Sequence, residues 1–424
     1  MSAGEVAAAG KRGRKRPEFG QGLVPEEAQV RAVRNLVPTG RIMSVVRFLA
    51  PTLALLALGI ALAHPARAYE TTATQAILID ANSGTVLYEK NPDEITFPSS
   101  MTKLMTIYLV FAHLADGSLS LDDELPVSEK AWRMQGSKMF VEVGKSVRVE
   151  DLIRGVIVQS GNDATVVLAE GLAGSEEAFA VEMTEMAHEL GMTNTEFRNA
   201  SGWPDPQHVT TARDLATLAQ RTIQDFPQYY HYYAEDVFVW NEIEQHNRNP
   251  LLYNTPGADG LKTGHTEAAG YGLTASAERD GRRLILVVNG LTSTQERASE
   301  GQRLMEYGFR EFETYDLFAQ DEVVEDAEVW LGEADSVPLV LAEPLSLTMS
   351  RSARQDMTVT VVYDGPIPAP IAAGQPIARL VVTAPDMTTI ERPLLAGEDV
   401  PELSMLSRLG AAIGYLVFGP PAAP

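Results

Sequence analysis

The segment that decides the fold is Pro98-Ser-Ser-Met-Thr-Lys-Leu-Met-Thr106, which begins a run that is apolar on nearly every side through about Leu114. A helix without a polar face is buried in a globular protein. The pattern therefore predicts a buried helix that opens at Ser100 and Lys103. Because helical residues three apart share one face, the amine of Lys103 can reach the hydroxyl of Ser100.

This pair has the composition of an activated nucleophile. A serine hydroxyl attacks poorly until a neighbouring base takes its proton. Burial and a second cation push a lysine toward its neutral form, so we predict that Lys103 is the general base and that Lys262 lowers its pKa. The Ser100 amide and an amide from the strand after Lys262 are predicted to form an oxyanion hole. The alternative is a helix cap beside an exposed lysine.

A second motif, Ser160-Gly161-Asn162, separates two predicted helices. The hydroxyl of Ser160 can relay a proton between Lys103 and a leaving amine. Asn162 offers a donor and an acceptor to a substrate amide, or it caps the helix that follows. We predict that this motif belongs to the same site as Lys103.

A third motif, Lys262-Thr263-Gly264, precedes a predicted terminal hairpin. Lys262 and Thr263 place a cation and a hydroxyl on a strand edge, where they suit the terminal carboxylate of a peptide. An extended substrate can add to such an edge as an extra strand. His265 follows directly, and it either lines the pocket or ends the strand.

The remaining pattern predicts two domains. Strand-like runs on both sides of the turns at residues 81–84 and 279–281 predict two hairpins, with helices between them. Residues 69–312 are therefore predicted to form one α+β domain whose terminal strands meet in a single sheet. Residues 313–398 carry short strand-like runs separated by turns, which indicates a small all-β domain.

Composition limits the classes of function. The 424 residues include 34 Lys and Arg, 57 Asp and Glu, and no cysteine. A formal charge of −23 argues against a nucleic-acid partner, because the phosphate backbone would repel it. The lack of cysteine excludes disulfide scaffolds, cysteine-ligated metals and thiol nucleophiles. No His-Glu-x-x-His, Gly-x-Gly-x-x-Gly or Walker motif occurs, so we expect no metal and no cofactor.

Residues 1–68 are predicted to be an N-terminal extension and signal peptide. The apolar run at residues 48–63 follows two arginines and precedes the cleavage pattern Ala66-Arg67-Ala68. The run is shorter than the about 20 residues that span a bilayer, although an uncleaved signal anchor remains the alternative. Cleavage after Ala68 removes 10 of the 34 basic and 4 of the 57 acidic residues, which leaves a net charge of −29. We therefore expect an exported acidic protein, and no nucleic-acid role for the basic block at residues 11–16.

Residues 399–424 are predicted to form a C-terminal amphipathic helix. One stripe within residues 402–419 contains five aliphatic side chains, Leu406, Leu409, Ile413, Leu416 and Val417. The segment is too polar to span a bilayer, so the functional interpretation is a helix that lies in the membrane interface. The alternative is that the stripe packs on the β domain.

Three stretches resemble the low-molecular-mass penicillin-binding proteins, and more narrowly the serine-type D-alanyl-D-alanine carboxypeptidases. They are the segment quoted first, Gly155-Val-Ile-Val-Gln-Ser-Gly-Asn-Asp163 and Asp259-Gly-Leu-Lys-Thr-Gly-His-Thr266. The resemblance implies a penicillin-binding/β-lactamase-like serine transpeptidase domain, followed by the small β domain and the terminal helix. It implies removal of the terminal D-alanine from peptidoglycan stem peptides ending in D-Ala-D-Ala, through an acyl-enzyme. It also implies covalent inhibition by β-lactam antibiotics and a place in the periplasm, peripheral on the outer face of the cytoplasmic membrane.

Carried over by position, the resemblance implies catalytic roles for Ser100, Lys103 and Ser160. It implies substrate-binding roles for Asn162, Lys262, Thr263, Gly264, His265 and Arg297. Arg297 matches an arginine that helps to hold the substrate carboxylate. Arg248 and Asp214 resemble supporting polar residues behind the site, and the alternative for both is an ordinary surface ion pair. Residues 132–144 correspond to a loop that flanks the cleft.

Three alternative functions share these motifs. A D,D-endopeptidase that cleaves cross-links would use the same groups. A non-enzymatic protein would bind stem peptides and organise wall-building partners, although the intact Ser100, Lys103 and Lys262 argue against it. A β-lactamase is less expected, because no Glu-x-x-x-Asn or Glu-x-x-Leu-Asn segment lies between Asn162 and Lys262 to supply a deacylating glutamate.

Overall fold

The computed structural model describes residues 31–32, 69–385 and 387–407. The first elements along the chain are the two-residue strand β1 (Arg31–Ala32), β2 (Gln75–Asp80) and β3 (Val86–Lys90). β2 and β3 pair antiparallel, which confirms the first predicted hairpin. All six residues of β2 are buried, because alternate side chains enter two different cores: Ile77 and Ile79 enter one, and Ala76 and Leu78 enter the other.

The predicted buried helix is divided into two parts. Ser99–Thr102 form a 3-10 helix, and α1 (Lys103–Asp116) continues from it. Ser100 therefore lies in a 3-10 turn, where we predicted the first turn of an α-helix. Side chains three apart eclipse each other in a 3-10 turn, so Lys103 still lies over Ser100. Every residue of α1 from Lys103 to Phe111 is buried, as the all-round apolar pattern predicts.

A helical half of the domain follows α1. Its elements are β4 (Glu124–Pro126), α2 (Glu129–Arg133), β5 (Ser146–Arg148), α3 (Val149–Ile157), α4 (Asn162–Ala173), α5 (Glu176–Glu189), α6 (Ala212–Asp225), a 3-10 helix at Tyr230–Ala234, β6 (Val237–Trp240), β7 (Ile243–His246) and α7 (Leu251–Asn254). β4 pairs with β5, and β6 pairs with β7. The predicted break between two helices is present, but Asn162 is the first residue of α4 and not part of the linker. Apolar side chains of α1, α3, α4, α5 and α6 form one core.

Three long strands and a helix complete the domain: β8 (Ala258–Thr266), β9 (Gly270–Arg279), β10 (Arg282–Leu291) and α8 (Thr294–Glu311). The sheet order β3-β2-β10-β9-β8 places β8 at an edge, beside the 3-10 helix that holds Ser100. The helical half covers one face of this sheet, and α7 and α8 cover the other. Strands from both ends of the domain thus meet in one sheet, which confirms the predicted α+β class.

The residues after α8 form a second unit with its own core. Its elements are β11 (Phe312–Phe318), β12 (Val323–Trp330), β13 (Ser336–Val340), β14 (Leu345–Ser350), the short helix α9 (Arg351–Gln355), β15 (Thr358–Val362), β16 (Ile367–Pro368), β17 (Pro376–Thr383) and β18 (Ile390–Ala396). The strands form a sheet in the order β1-β15-β17-β18-β13-β12-β16 and the pair β11-β14. The core includes Leu339, Leu380 and Leu394. The predicted all-β domain is confirmed.

Two predicted segments fall largely outside the described residues. No helix within the described ranges is long and apolar enough to cross a membrane. The signal-peptide pattern at residues 48–68 and most of the terminal amphipathic stripe, from residue 408 onward, lie outside these ranges. Leu406 is the one stripe residue within the described ranges, and it and its neighbour Met405 are 85% and 88% exposed.

Candidate active site

Lys103 reaches Ser100, as the spacing of the two residues predicts. Nζ of Lys103 lies 3.0 Å from Oγ of Ser100. Lys103 is completely buried, whereas Ser100 is half-buried and lines a cavity of about 880 Å³. The amine is thus shielded from solvent while the hydroxyl stays open to a substrate.

Two glycines hold the turn that carries Ser100. Gly202 has a φ of +81°, and a Cβ there would lie 1.7 Å from the carbonyl oxygen of Ser99. A Cβ at Gly264, on β8, would lie 3.0 Å from the carbonyl oxygen of Pro98. Because neither neighbour has a side chain, the turn packs directly between the edge strand and the loop that contains Gly202.

Two further oxygens surround the amine of Lys103. Nζ donates to Oδ1 of Asn162 at 2.7 Å and to the carbonyl oxygen of Ser201 at 2.6 Å. The Asn162 amide is oriented by its nitrogen, which donates to the carbonyl oxygen of Gln135 at 2.7 Å. Both oxygens around Nζ therefore act only as acceptors. A neutral amine that gives its two N–H groups to them directs its lone pair at the proton of Ser100.

The electrostatics of the site favour a neutral Lys103. Burial, helped by the positive charge of Arg248, lowers the pKa of Lys103 to about 7 against the opposing charge of Asp163. The predicted influence of Lys262 on the pKa of Lys103 remains a prediction, and Arg248 is a cation that we did not predict to act on this pKa. Burial lowers the pKa of Lys262 well below its ordinary value, and the charge of Lys103 lowers it further. The positive charges of the two buried lysines therefore disfavour protonation of each other.

Arg248, Lys262 and Arg297 gather near Lys103, and none of the three forms an ion pair within the described residues. Arg297 is 8% exposed, and its Nε has no hydrogen-bond acceptor. Burial lowers the pKa of both arginines. In a chain with a net charge of −23, unpaired cations held together in this way indicate a site for an anion.

The two arginines connect to the cavity through their neighbours. Arg248 donates to Oγ of Ser137 at 2.5 Å. The guanidinium of Arg297 lies 5.8 Å from the ring centroid of Tyr271, and His265 stacks on the same ring at 3.9 Å. Ser137 and His265 both line the cavity. His265 therefore has the first of its two predicted positions, although β8 also continues through it.

The remaining predicted residues fall into two groups. Ser160 is 1% exposed and has a φ of +59° directly after α3, and Thr263 and Gly264 are buried on β8. Ser160 lies in the linker between α3 and α4, two residues before Asn162, and β8 lies beside the 3-10 helix that carries Ser100. Asp214 lies in the first turn of α6, where its carboxylate accepts a hydrogen bond of 2.7 Å from Oγ1 of Thr195. The hydrogen bonds of Asp214 hold residues 194–195 against α6 and do not reach Ser100 or Lys103.

The loop at residues 132–144 flanks the cleft and is bound to α4. The carboxylate of Asp163 accepts hydrogen bonds of 2.9, 2.8 and 3.1 Å from three backbone amides, those of Met139, Phe140 and Val141. The backbone amide of Asn162 donates to the carbonyl oxygen of Ser137 at 2.8 Å. One turn of α4 therefore holds the loop and also presents Asn162 to Lys103.

The loop at residues 199–203 is a part of the site that was not predicted from the sequence. This loop supplies the carbonyl oxygen of Ser201 to Lys103 and the indole of Trp203 to the cavity wall. The dipeptide Ser201-Gly202 is a turn signal. A turn signal does not encode what the turn will contact, so the contact of this loop with Lys103 could not be predicted.

His208 is also part of the site and was not predicted from the sequence. It lines the cavity and is 2% exposed. Nδ1 of His208 accepts a hydrogen bond from the amide of Arg198 at 3.2 Å, so Nε2 carries the proton and donates to Oγ1 of Thr102 at 2.9 Å. Burial lowers the pKa of His208 to about 4. Through its hydrogen bond to Thr102, this neutral histidine stabilises the turn between Ser100 and Lys103.

Two family matches cover most of the described chain. Residues 62–293 match the family described as D-alanyl-D-alanine carboxypeptidase, and residues 312–402 match the C-terminal domain of penicillin-binding protein 5. The chain is also similar to D-alanyl-D-alanine carboxypeptidase DacA of Haemophilus influenzae. The two are 36% identical over 346 residues, which cover 80% of this chain and 88% of the relative.

Solved structures show the same likeness. The D-alanyl-D-alanine carboxypeptidase DacD from Francisella tularensis matches with a TM-score of 0.71 at 32% identity, over 79% of this chain and 95% of that chain. Penicillin-binding protein D2 from Listeria monocytogenes, in its ampicillin-bound form, matches with a TM-score of 0.53 at 31% identity, over 57% of this chain and 100% of that chain. The chain therefore belongs to the D-alanyl-D-alanine carboxypeptidases, the serine peptidases of the penicillin-binding protein family.

Proposed function

We propose that this carboxypeptidase removes the terminal D-alanine of peptidoglycan pentapeptides through an acyl-enzyme on Ser100. The observation that carries the proposal is the 3.0 Å contact between Oγ of Ser100 and Nζ of Lys103, whose pKa burial lowers to about 7. Lys103 accepts the proton of Ser100 as Oγ attacks the carbonyl carbon of the penultimate D-alanine. The C–N bond then breaks, and the amine of the leaving D-alanine takes up a proton. Water hydrolyses the ester, which restores Ser100 and releases the shortened peptide.

The carboxylate of the terminal D-alanine is proposed to bind among Lys262, Thr263 and Arg297. Arg297 is buried and has no acidic partner within the described residues, so an incoming carboxylate pairs with it directly. The same carboxylate raises the pKa of Lys262, because it favours the protonated form of this lysine. β8 is an edge strand, so an extended peptide can pair along it past Gly264 and His265.

Ser160 and Asn162 are proposed to act at the scissile bond. Ser160 relays a proton between Lys103 and the leaving amine. Asn162 already contacts Lys103 and Gln135. An amide oxygen has two lone pairs and an amide nitrogen has two hydrogens, so each atom of Asn162 keeps one position for a substrate amide. The amide of Ser100 and an amide of β8 form the proposed oxyanion hole.

β-Lactam antibiotics are proposed to acylate the same serine. Attack on the strained ring forms an ester with Oγ of Ser100, while the cleaved amine stays attached to the acyl group. The ampicillin-bound form of the Listeria relative supports this proposal. The free carboxylate of a β-lactam is proposed to occupy the site of the peptide carboxylate, near Arg297.

We also propose that the chain is exported and acts in the periplasm, peripheral on the outer face of the cytoplasmic membrane. The signal-peptide pattern at residues 48–68 supports export. The exposure of Met405 and Leu406 supports a terminal stripe that binds the membrane interface. Removal of residues 405–424 spares the hydrogen bond from the amide of Leu403 to the carbonyl oxygen of Leu331. The shortened chain should leave the membrane fraction, and continued sedimentation with membranes would contradict the anchor.

The proposed reaction is tested by release of D-alanine from a D-Ala-D-Ala pentapeptide by the full-length chain. Ser100→Ala should abolish both this release and labelling by a fluorescent penicillin. Ser299→Ala, which changes an exposed serine on α8, is the matched control and should retain both. Release by Ser100→Ala would contradict the acyl-enzyme.

The same assay separates the alternative functions. Covalent labelling without D-alanine release from any peptide would favour a wall-binding organiser. Cleavage of cross-linked dimers without cleavage of pentapeptides would favour the endopeptidase. Rapid turnover of nitrocefin would favour a β-lactamase. The proposal predicts pentapeptide cleavage and slow release of penicillin.

A further inference from the structure

We propose that Asn199 is a positioning residue for the general base: its side chain holds the loop at residues 199–203 so that the carbonyl oxygen of Ser201 receives an N–H of Lys103. The inference rests on the proposed acyl-enzyme mechanism and adds one residue to it. Asn199 lies in none of the three sequence motifs. Its contacts with the loop, and the contact of the loop with Lys103, carry the argument.

Oδ1 of Asn199 lies at the centre of the loop. It accepts hydrogen bonds from three successive backbone amides, those of Ser201 at 3.2 Å, Gly202 at 2.8 Å and Trp203 at 2.9 Å. Nδ2 of Asn199 donates to the carbonyl oxygen of Trp203 at 2.9 Å. One side chain therefore fixes the backbone on both sides of the Ser201 carbonyl.

Asn199 and Lys103 bind opposite sides of one peptide group. The peptide that joins Ser201 to Gly202 gives its N–H to Oδ1 of Asn199 and its carbonyl oxygen to Nζ of Lys103. In a planar trans peptide these two groups point in opposite directions. Any rotation that takes the N–H away from Asn199 therefore also turns the carbonyl away from Lys103.

The other anchors of the loop act on the preceding peptide groups. The carbonyl oxygen of Ala200 accepts a hydrogen bond of 2.7 Å from Oγ1 of Thr106, and its amide donates to Oε1 of Glu176 at 3.2 Å. These contacts tie the loop to α1 and α5. They leave the peptide after Ser201 to be oriented by Asn199.

The contact with Ser201 matters because it uses one of the two N–H groups of a neutral Lys103. Without it, the lone pair of the amine is no longer directed at Ser100. A carbonyl oxygen also stabilises an ammonium more than a neutral amine. Loss of the contact should therefore lower the pKa of Lys103 and, separately, slow proton transfer from Ser100.

Other titratable and charged groups also lie near Lys103, and the test must keep them unchanged. They come from four elements: Asp163 on α4, Arg248 before α7, Lys262 on β8 and His208 before α6. None of these groups is a hydrogen-bond partner of Asn199 within the described residues. Asn199→Ala therefore changes the contact of Ser201 with Lys103 and leaves these groups in place.

The test is the rate constant for acylation by a fluorescent penicillin, measured with the full-length chain across about pH 5 to 9, a range that spans the titration of the base. The rate constant should rise with pH along an acid limb, as Lys103 loses its proton, and then reach a plateau. Asn199→Ala should lower this plateau about 10- to 100-fold. It should also move the acid limb about one pH unit lower. Asn199→Asp keeps an acceptor for the loop amides and should restore most of the plateau. Trp203→Ala, in the same loop, should change KM for a peptide substrate and leave the acid limb in place.

An equal loss at every pH in Asn199→Ala, with the acid limb unmoved, would overturn the proposal, because it would show that Asn199 only stabilises the fold. Rates are expressed per penicillin-titrated active site, which removes the contribution of misfolded protein. If Asn199→Ala does not fold, Asn199→Ser keeps one acceptor and carries the test: its limb should move the same way by less, and an unmoved limb would overturn the proposal. Acylation of Ser100→Ala would instead contradict the acyl-enzyme, so the two failures are distinguishable.

Discussion

Oδ1 of Asn162 accepts a hydrogen bond from Nζ of Lys103 at 2.7 Å, and this contact joins the second sequence motif to the first. The nitrogen of the same amide is occupied by the carbonyl oxygen of Gln135, so only the oxygen can face the amine. The base is therefore oriented by a group that takes no part in proton transfer. In the proposed mechanism, this orientation and burial together enable Lys103 to deprotonate Ser100.

Acylation should depend on pH through Lys103. Its pKa is lowered to about 7 by burial and by the charge of Arg248, and only the neutral amine accepts a proton. The acylation rate constant should therefore fall about tenfold per pH unit below the pKa and level off above it. Stopped-flow labelling with a fluorescent penicillin measures this profile. A limb centred near the ordinary pKa of lysine, about 10.4, would contradict it.

Arg248→Gln should move the acid limb to higher pH. The positive charge of Arg248 lowers the pKa of Lys103, so its removal raises that pKa and leaves less neutral amine at a given pH. Ser137→Ala is the matched control, because it removes the hydrogen bond of Arg248 to Ser137 and keeps the charge. An acid limb that moves equally in both variants would assign the effect to the loop and not to the charge.

Arg297→Gln should weaken binding of substrates that end in a free carboxylate. A lost charge-assisted hydrogen bond costs about 1.5–3 kcal/mol, so KM should rise about 10- to 100-fold with a smaller change in kcat. A peptide of the same sequence that ends in an amide has no carboxylate to pair with Arg297. Its KM should therefore be similar in wild type and Arg297→Gln. Arg303→Gln changes an exposed arginine on the same helix and should leave KM unchanged. A KM for the free acid that is equal in wild type and Arg297→Gln is the contrary result.

Asp163→Asn should destabilise the loop at residues 132–144 and shift the base. Its carboxylate accepts from three backbone amides, so the free energy of unfolding should fall by about 1–3 kcal/mol. The negative charge also raises the pKa of Lys103, so the acid limb should move to lower pH, opposite to Arg248→Gln. Urea denaturation and the acylation profile measure the two effects. Asp116→Asn, at the exposed end of α1, should change neither; a limb unmoved in Asp163→Asn would contradict the electrostatic account.

The sequence predicted the fold where local pattern and burial agree. β2 is apolar from Ala76 to Ile79 and pairs on both sides, and α1 has no polar face and is buried from its first residue. The 3-10 turn at Ser99–Thr102 was not predicted, because its shape depends on Gly202 and Gly264, which reach it only in the folded chain. The three motifs could be assigned to one site because together they supply a nucleophile with its base, a proton relay and a cation for a carboxylate.

The residues that complete the site could not be read from the sequence. Ser201 acts through its carbonyl oxygen, which every residue has, and lies 98 positions from Lys103. The sequence also gave no means to decide which cation lowers the pKa of Lys103. Arg248 lowers this pKa although it lies in none of the three motifs, and it comes near Lys103 only in the folded chain.

The most direct test of the central claim is peptide mapping by mass spectrometry after reaction with benzylpenicillin, followed over time in wild type and Lys103→Ala. The account predicts one adduct per chain, on Ser100, that forms about 10²- to 10⁴-fold more slowly when Lys103 is replaced. An adduct on another residue, or an adduct on Ser100 that forms at the wild-type rate in Lys103→Ala, would contradict it.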